Sequence, residues 1–309
     1  MIFDGLLELI NFVIMLLMAR LSNVTVKFHD KVFLSDFTFD FGEGFCAVFG
    51  ESGSGKTTLA HVFAGLARIE NGEVYLGEKE VGDISPKRRN VSLISAQTAL
   101  KKGNVKDNLL FPLKVRKLGD KETKLADLPN EFLGKRVEEL TGAEKAQAYF
   151  SRAMIKCPSV IIVDEPSDIL DGSGVQELWR LATSAKVNVL WLTSDVEQIK
   201  DFEGNIAILR RGKVWASGSA LMLKSNPPDS YVATLFGYNI INGKAVPPTA
   251  FFIGKREITV NVNFVSKVDG GYILHCHYMD LPIKIFSKDE IRGEFSVCYD
   301  EAQVIDIGH

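Results

Sequence analysis

The sequence predicts an α/β domain with a largely parallel sheet, followed by a small all-β barrel. Three observations carry this. Apolar strand-like runs alternate with helical stretches through the longer, N-terminal part of the chain. A glycine-rich loop, Gly50-Glu51-Ser52-Gly53-Ser54-Gly55-Lys56-Thr57, joins a wholly apolar run to a helical pattern. Beyond about residue 240 the pattern gives way to short alternating β-type runs.

The elements follow in order. Residues 24–28 and 32–39 are rich in Val and Phe and flank the turn-forming pair His29-Asp30, so they read as two strands. Phe45–Phe49 contains only apolar residues, as a strand buried on both faces does. Residues 56–67 carry a helical pattern. Residues 91–95, 160–163 and 187–192 are apolar strands separated by helical stretches. Pro227-Pro228 and Pro247-Pro248 punctuate the change of character. Six strand-like runs follow at 251–253, 258–264, 272–278, 283–286, 295–299 and 303–307, the pattern of an OB-type barrel.

Composition limits the function classes. The 309 residues carry 36 Lys and Arg against 39 Asp and Glu, a net charge of −3, so bulk electrostatic binding of nucleic acid is disfavoured. A hydrophobic content of 46% excludes disorder over most of the length, and the length suits two domains. The four cysteines form no C-x-x-C pair, which fits a reducing compartment. His275 and His277 share a strand face but lack an evident third metal ligand. The basic run Lys87-Arg88-Arg89 reads as solvated loop. The first residues are apolar but broken by Glu8 and Asn11, too short for a spanning helix. Residues 1–17 are therefore expected to be an extension preceding a true start at Met18, the alternative being an amphipathic helix lying on a membrane surface.

Gly50 to Thr57 fits G-x-x-x-x-G-K-[ST] at every fixed position, between a strand and a helix. Its backbone N–H groups can cradle phosphate, and the following helix N-terminus favours the same anion. Lys56 can bridge the β- and γ-phosphates, and the Thr57 hydroxyl can ligate Mg²⁺. Val160-Ile161-Ile162-Val163 then runs into Asp164-Glu165. Asp164 at the strand end can hold Mg²⁺ through water, and Glu165 can take a proton from an attacking water.

In order and spacing these parts resemble the ATP-binding-cassette (ABC) ATPases over residues 21–240. Glu139-Leu140-Thr141-Gly142-Ala143-Glu144-Lys145 resembles the family signature E-L-S-G-G-Q-Q, and Arg152-Ala153, Asp164-Glu165-Pro166 and Leu170-Asp171 continue the likeness. Phe28 matches the aromatic position that stacks on adenine. Gln97 is the best match for the Q-loop glutamine, with Ala96 nearly as good in register. Phe111-Pro112-Leu113-Lys114-Val115-Arg116 is importer-like, and the terminal barrel resembles a TOBE-type regulatory domain of oxyanion or iron importers.

The resemblance implies an α/β P-loop NTPase domain over 18–240, with a helical subdomain near 98–158, and a TOBE/OB-like domain over 241–309. It implies ATP and Mg²⁺ as cofactors, with nucleotide contacts from Phe28, Gly50 to Thr57, Thr58, Gln97, Thr141, Gly142 and Ala143. The metal would sit on Thr57, Gln97 and Asp164, and catalysis would rest on Lys56, Glu165 and Ser194. It further implies a second ABC ATPase subunit, identical or different, closing face to face so that one signature completes the other's site. Integral-membrane permease subunits and, indirectly, a solute-binding protein complete the expected partners, with no nucleic acid. The expected place is peripheral, on the cytoplasmic face of the membrane.

Three positions depart from the family pattern. Thr141 replaces the signature serine, Ala143 replaces the second signature glycine, and Ser194 stands where the family has its switch histidine. Serine is shorter and uncharged, so slowed hydrolysis is expected. The alternative is a nucleotide-binding regulatory module with little turnover.

Overall fold

The computed structural model describes residues 19–28, 31–115, 128–278 and 281–307. The 1–17 extension, Met18 and the turn pair His29-Asp30 lie outside these residues. The described residues divide into two compact units, one reaching to Ile199 with Gly204–Ser217, the other formed by Lys200–Glu203 with Gly218 onward.

The first unit is built on a six-stranded sheet. Its strands are β3 (Phe45–Phe49), β6 (Val91–Ile94), β7 (Val160–Asp164), β8 (Asn188–Thr193), β9 (Asn205–Arg210) and β10 (Lys213–Ser219). Their order is β10-β9-β3-β8-β7-β6, and β9, β3, β8, β7 and β6 pair in parallel. The continuous apolar runs follow from burial on both faces. In β7, Val160 and Ile162 join one core while Ile161 and Val163 join the other. Leu190 and Leu192 alternate with Val189 and Trp191 in the same way along β8.

An antiparallel sheet of order β2-β1-β4-β5 lines the first core, with β1 (Ala19–Phe28), β2 (Lys31–Asp40), β4 (Asn71–Leu76) and β5 (Lys79–Glu80). Helix α1 (Lys56–Ala64) buries Leu59, Ala60, Val62 and Phe63 in that core. It stops three residues earlier than its apolar pattern, because Gly65 adopts a left-handed φ of 74° and its N–H bonds back to the His61 and Val62 carbonyls.

Arg89, read from sequence as solvated, is 4% exposed. Its guanidinium donates to the Val62, Phe63, Gly82 and Ile84 carbonyls and so ties the end of α1 to the loop before β6. A charge run shows net polarity but not which member folds inward to meet the carbonyls left unpaired at a helix end.

The helical part holds α2 (Val105–Val115), α3 (Asn130–Gly134) and α4 (Gly142–Met154). Val105, Leu109, Leu113, Phe132, Leu133, Leu140 and Ala148 share its core. Helix α5 (Gly172–Ser184) covers the second face of the main sheet through Leu178 and Ala182.

The second unit begins earlier than the sequence reading has it. Residues 218–240, expected with the ATPase part, belong to it. It comprises α6 (Ala220–Ser225), α7 (Ser230–Leu235) and two antiparallel sheets. One sheet is β11 (Asn239–Ile241), β12 (Lys244–Val246) and β17 (Ile305–Asp306). The other orders β13 (Phe251–Val268), β14 (Gly271–Tyr278), β15 (Leu281–Ser287) and β16 (Gly293–Tyr299) as β15-β14-β13-β16. Helix α7 buries Val232 and Ala233 and packs against β11 and β12, which draws the segment into this unit.

The sheets close over one core of Ile241, Val246, Leu274, Ile285 and Val297, an OB-like half-barrel. The runs 251–253 and 258–264 are one strand. Ile253 and Ile258 both face Val297, so the residues between them form a bulge rather than a break.

Replacing Arg89 with Ala leaves buried carbonyls without donors, so urea unfolding should show a loss of about 2–4 kcal/mol. A loss under about 0.5 kcal/mol, the range of neutral surface changes, would contradict this structural role.

Candidate functional site

Strand β3 feeds the phosphate loop at its carboxyl end, where parallel sheets place their ligand crevices. Gly53 and Gly55 take left-handed φ values of 80° and 112°, which turn the loop over the start of α1. A side chain at Gly50 would come within 2.8 Å of the Leu209 carbonyl, so only glycine fits there. The Ser54 amide donates to the Glu51 carbonyl and the Gly212 amide to the Ser54 carbonyl, fixing the loop from both sides.

Lys56 is 4% exposed. Its ammonium donates to the Gly50 carbonyl, to the Glu51 carbonyl at 3.1 Å, and to Glu165 Oε1 at 3.1 Å. Glu165 follows β7 with a left-handed φ of 45°, a strained conformation that aims its side chain across the loop. Its second oxygen, Oε2, accepts from the Ser194 amide at 3.0 Å and from the Ser194 hydroxyl at 3.1 Å. The carboxylate therefore lies between the loop lysine and the end of β8. Ser194 thus contacts the candidate base directly.

Asp164 ends β7 and is 5% exposed. Burial pushes its carboxyl above the ordinary range, opposed first by a hydrogen bond with Thr57. Its Oδ1 and the Ser54 hydroxyl are buried oxygens without partners. Such orphans fit a bound cation and phosphate. No cage of three His, Cys, Asp or Glu side chains occurs among the described residues, so Mg²⁺ on Thr57 and Asp164 would draw its other ligands from water and phosphate.

One cleft of about 390 Å³ unites much of the expected set: Ser52, Gly53, Gly55, Lys56, Thr57, Thr58, Glu165 and Ser194, with Phe33 and Asp168 added. Gln97 lines a different cavity, beside Arg152 and Phe111, where the Ser95 hydroxyl donates to its side-chain oxygen at 3.1 Å. Phe28 is 71% exposed at the end of β1. Thr141, Gly142 and Ala143 open α4 and do not line the phosphate cleft.

Thr141 caps α4. The Glu144 amide donates to the Thr141 hydroxyl oxygen at 3.2 Å, while Glu144 Oε2 accepts from the Thr141 amide at 3.0 Å. Gly142 packs on the Asp171 carboxylate, and a side chain there would clash with it. His275 and His277 pair separately with Ser266 and Asn263 instead of converging on one point.

Sequence reasoning missed Phe33, Asp168 and the ion pair between Lys135 and Glu144. The T-x-x-E spacing of a capping box was a visible signal for Glu144. Nothing local marked the others, which reach their places through the tertiary fold.

A phosphate loop, a carboxylate pair at the end of β7 and a capped Thr-Gly segment together narrow the family. Residues 34–168 match the model described as ABC transporter. These residues form an ABC transporter ATPase domain. Curated relatives include the Fe(3+) ions import ATP-binding protein FbpC of Fusobacterium nucleatum, 27% identical over 270 residues, covering 82% of this chain and 72% of that protein. The spermidine/putrescine import ATP-binding protein PotA of the same organism is 31% identical over 253 residues, 77% of this chain and 64% of that one. The molybdate/tungstate import ATP-binding protein WtpC of Methanocaldococcus jannaschii is 27% identical over 289 residues, 89% of this chain and 95% of that one.

Among solved structures, a nucleotide-free ATP-binding cassette from an ABC transporter matches with TM-score 0.60 at 19% identity, over 71% of this chain and 98% of that one. A dimeric cassette in a post-hydrolysis state, bound to ADP and Pi, matches with TM-score 0.53 at 22% identity, over 65% of this chain and 98% of that one. These likenesses place the fold of the ABC domain. Among the described residues, no helix is long and apolar enough to cross a membrane.

Asp164 gives the ABC domain a pH-dependent stability. The folded chain holds this proton more tightly than the unfolded chain, whose carboxyl keeps its ordinary value. The contribution is full below the unfolded value and is lost as pH rises through the folded value. Asp164→Asn should therefore raise the unfolding midpoint of the nucleotide-free protein at pH 7 and leave it nearly unchanged at acid pH, while weakening Mg²⁺-dependent nucleotide binding. An equal midpoint at pH 7 would contradict the buried-carboxylate reading.

Proposed function

We propose that the chain is the ATP-binding and ATP-hydrolysing subunit of an ABC import system, coupling ATP-driven closure of two cassettes to solute uptake through permease subunits. The observation that carries this reading is the placement of Glu165 against Lys56, at the carboxyl ends of β3 and β7, with the buried Asp164 oxygen beside them. The names of the curated relatives, all import ATP-binding proteins, support the transport half.

In this reading the loop amides and Lys56 bind the phosphates and Phe28 stacks on the adenine. Thr57 and Asp164 would hold Mg²⁺, which would supply charge neutralisation across the phosphates, and Gln97 would join them only by turning out of its own cavity. Lys56 leaves Glu165 for the incoming phosphate, and the freed carboxylate accepts the proton of the attacking water. Thr141, Gly142 and Ala143 serve the nucleotide of the facing subunit, in keeping with their place outside their own phosphate cleft. The chain then works peripherally, on the cytoplasmic face of a membrane, beside permease partners. The second reading, a regulatory module with little turnover, draws on Ser194, whose hydroxyl lies on Glu165.

Purified protein should hydrolyse ATP in an Mg²⁺-dependent manner, with the activity abolished in Glu165→Gln. Installing histidine at Ser194 should raise turnover, by up to roughly 10²–10³-fold if a full preorganised donor is restored. Nucleotide binding without turnover above the Glu165→Gln control, even with the permease present, would overturn the motor in favour of the regulatory reading.

A further inference from the structure

We propose that Lys135 and Glu144 form a positioning pair that keeps the start of α4 receptive to the phosphate of a facing copy's nucleotide. The proposal rests on the face-to-face closure described under Proposed function and assigns that surface a charge requirement of its own.

Glu144 is the third residue of α4, and its two oxygens are divided. Oε2 accepts from the Thr141 amide at 3.0 Å and from the Thr141 hydroxyl at 3.2 Å, while Oε1 meets the Lys135 ammonium at 2.6 Å. Lys135 is not on a loose arm. Its amide donates to the Phe132 carbonyl, its carbonyl accepts from Val105 at 3.0 Å, and Val137 two residues on donates to Gly103 at 2.9 Å. The ammonium is thus carried on backbone tied to the beginning of α2. Burial fractions agree with a shared site, the two side chains being 35% and 25% exposed. Each partner also favours the charged form of the other, Lys135 titrating above its ordinary range and Glu144 below, chiefly through their mutual hydrogen bond.

The physical need follows from what a helix N-terminus does. Its unpaired N–H groups attract one anion. Glu144 occupies that favourable field from within, and Asp171 lies close behind Gly142. The Asp171 carboxylate is engaged by the Gly174 amide at 2.8 Å and the Ser173 hydroxyl at 2.7 Å, but it still adds negative charge. A phosphate approaching Thr141 and Gly142 would meet two carboxylates. Lys145 lies within electrostatic reach of Asp171, and Lys135 offsets the Glu144 charge while leaving that carboxylate in place to orient the Thr141 amide and hydroxyl. Glutamine at 144 could accept the same Thr141 bonds without the charge, and would make the lysine dispensable.

The test uses the full chain in a Glu165→Gln background, so that ATP is bound but not consumed, and reads the Mg²⁺-ATP concentration giving half-maximal dimer by light scattering. Lys135→Met should raise that concentration on the order of tenfold, the scale of one unneutralised charge near another at partly screened distance. Glu144→Gln alone should move it less than about twofold, and adding Glu144→Gln to Lys135→Met should return it to within about twofold of the parent. Fluorescent-nucleotide binding to each monomer should be unchanged, since the pair does not line its own phosphate cleft. A double variant as impaired as Lys135→Met would mean that the lysine serves only structure, and would overturn the proposal. So would a Lys135→Met protein that dimerises like the parent. A parent that stays monomeric at saturating Mg²⁺-ATP would overturn closure on a second copy of this chain, and the pair's role toward a facing copy with it.

Discussion

A lysine buried among backbone carbonyls is the constraint on which the site depends. Lys56 is almost fully enclosed, and a desolvated ammonium must be met by negative charge or oxygen lone pairs. The loop supplies two carbonyls, and Glu165 supplies the opposite charge. The loop can present these carbonyls because Gly53 and Gly55 adopt left-handed backbone. Glu165 can reach the ammonium because its own backbone departs sharply from the strand. The same carboxylate is held from the other side by the amide and hydroxyl of Ser194, so the ends of three neighbouring strands converge on one charge pair.

The sheet makes this convergence possible. β3, β8 and β7 are adjacent and parallel, and each is buried on both faces, so their register is fixed by packing above and below. Their carboxyl ends are therefore held at defined heights. Arg89 does a comparable service at the far end of α1, satisfying carbonyls where the helix stops. The phosphate loop is held between the end of β3 and the start of α1, and Leu209 at the end of β9 and Gly212 just beyond it brace it from the side.

Much of this was legible in the sequence where a pattern is local. The continuous apolar runs of β3, β7 and β8 announce burial on both faces, and the G-x-x-x-x-G-K-T spacing announces the loop. Adjacent carboxylates at 164 and 165 follow a wholly apolar run and so mark a strand end. What escaped depends on tertiary geometry. Arg89 sits in a basic run that looks like solvated surface, and only the end of α1 gives it carbonyls to satisfy. Gln97 resembles a metal ligand by register, yet it lines a different cavity. Phe33 reaches the phosphate cleft from an ordinary strand whose sequence says nothing of its destination. The four residues before Ile258 read as a gap between strands, because a bulge and a break look alike until the partner strand is placed. The Thr141–Glu144 cap lies between these extremes, since its spacing is local but the lysine that completes it is not.

If Glu165 stands where a transferred phosphate will lie, it must part from Lys56 when nucleotide binds. The direct measurement is a crystal structure of the chain with Mg²⁺, ADP and beryllium fluoride. Lys56 should then contact the fluoride, with the Glu165 carboxylate released from the ammonium and turned toward the water beyond it. Nucleotide bound with the Lys56–Glu165 contact intact would contradict this arrangement.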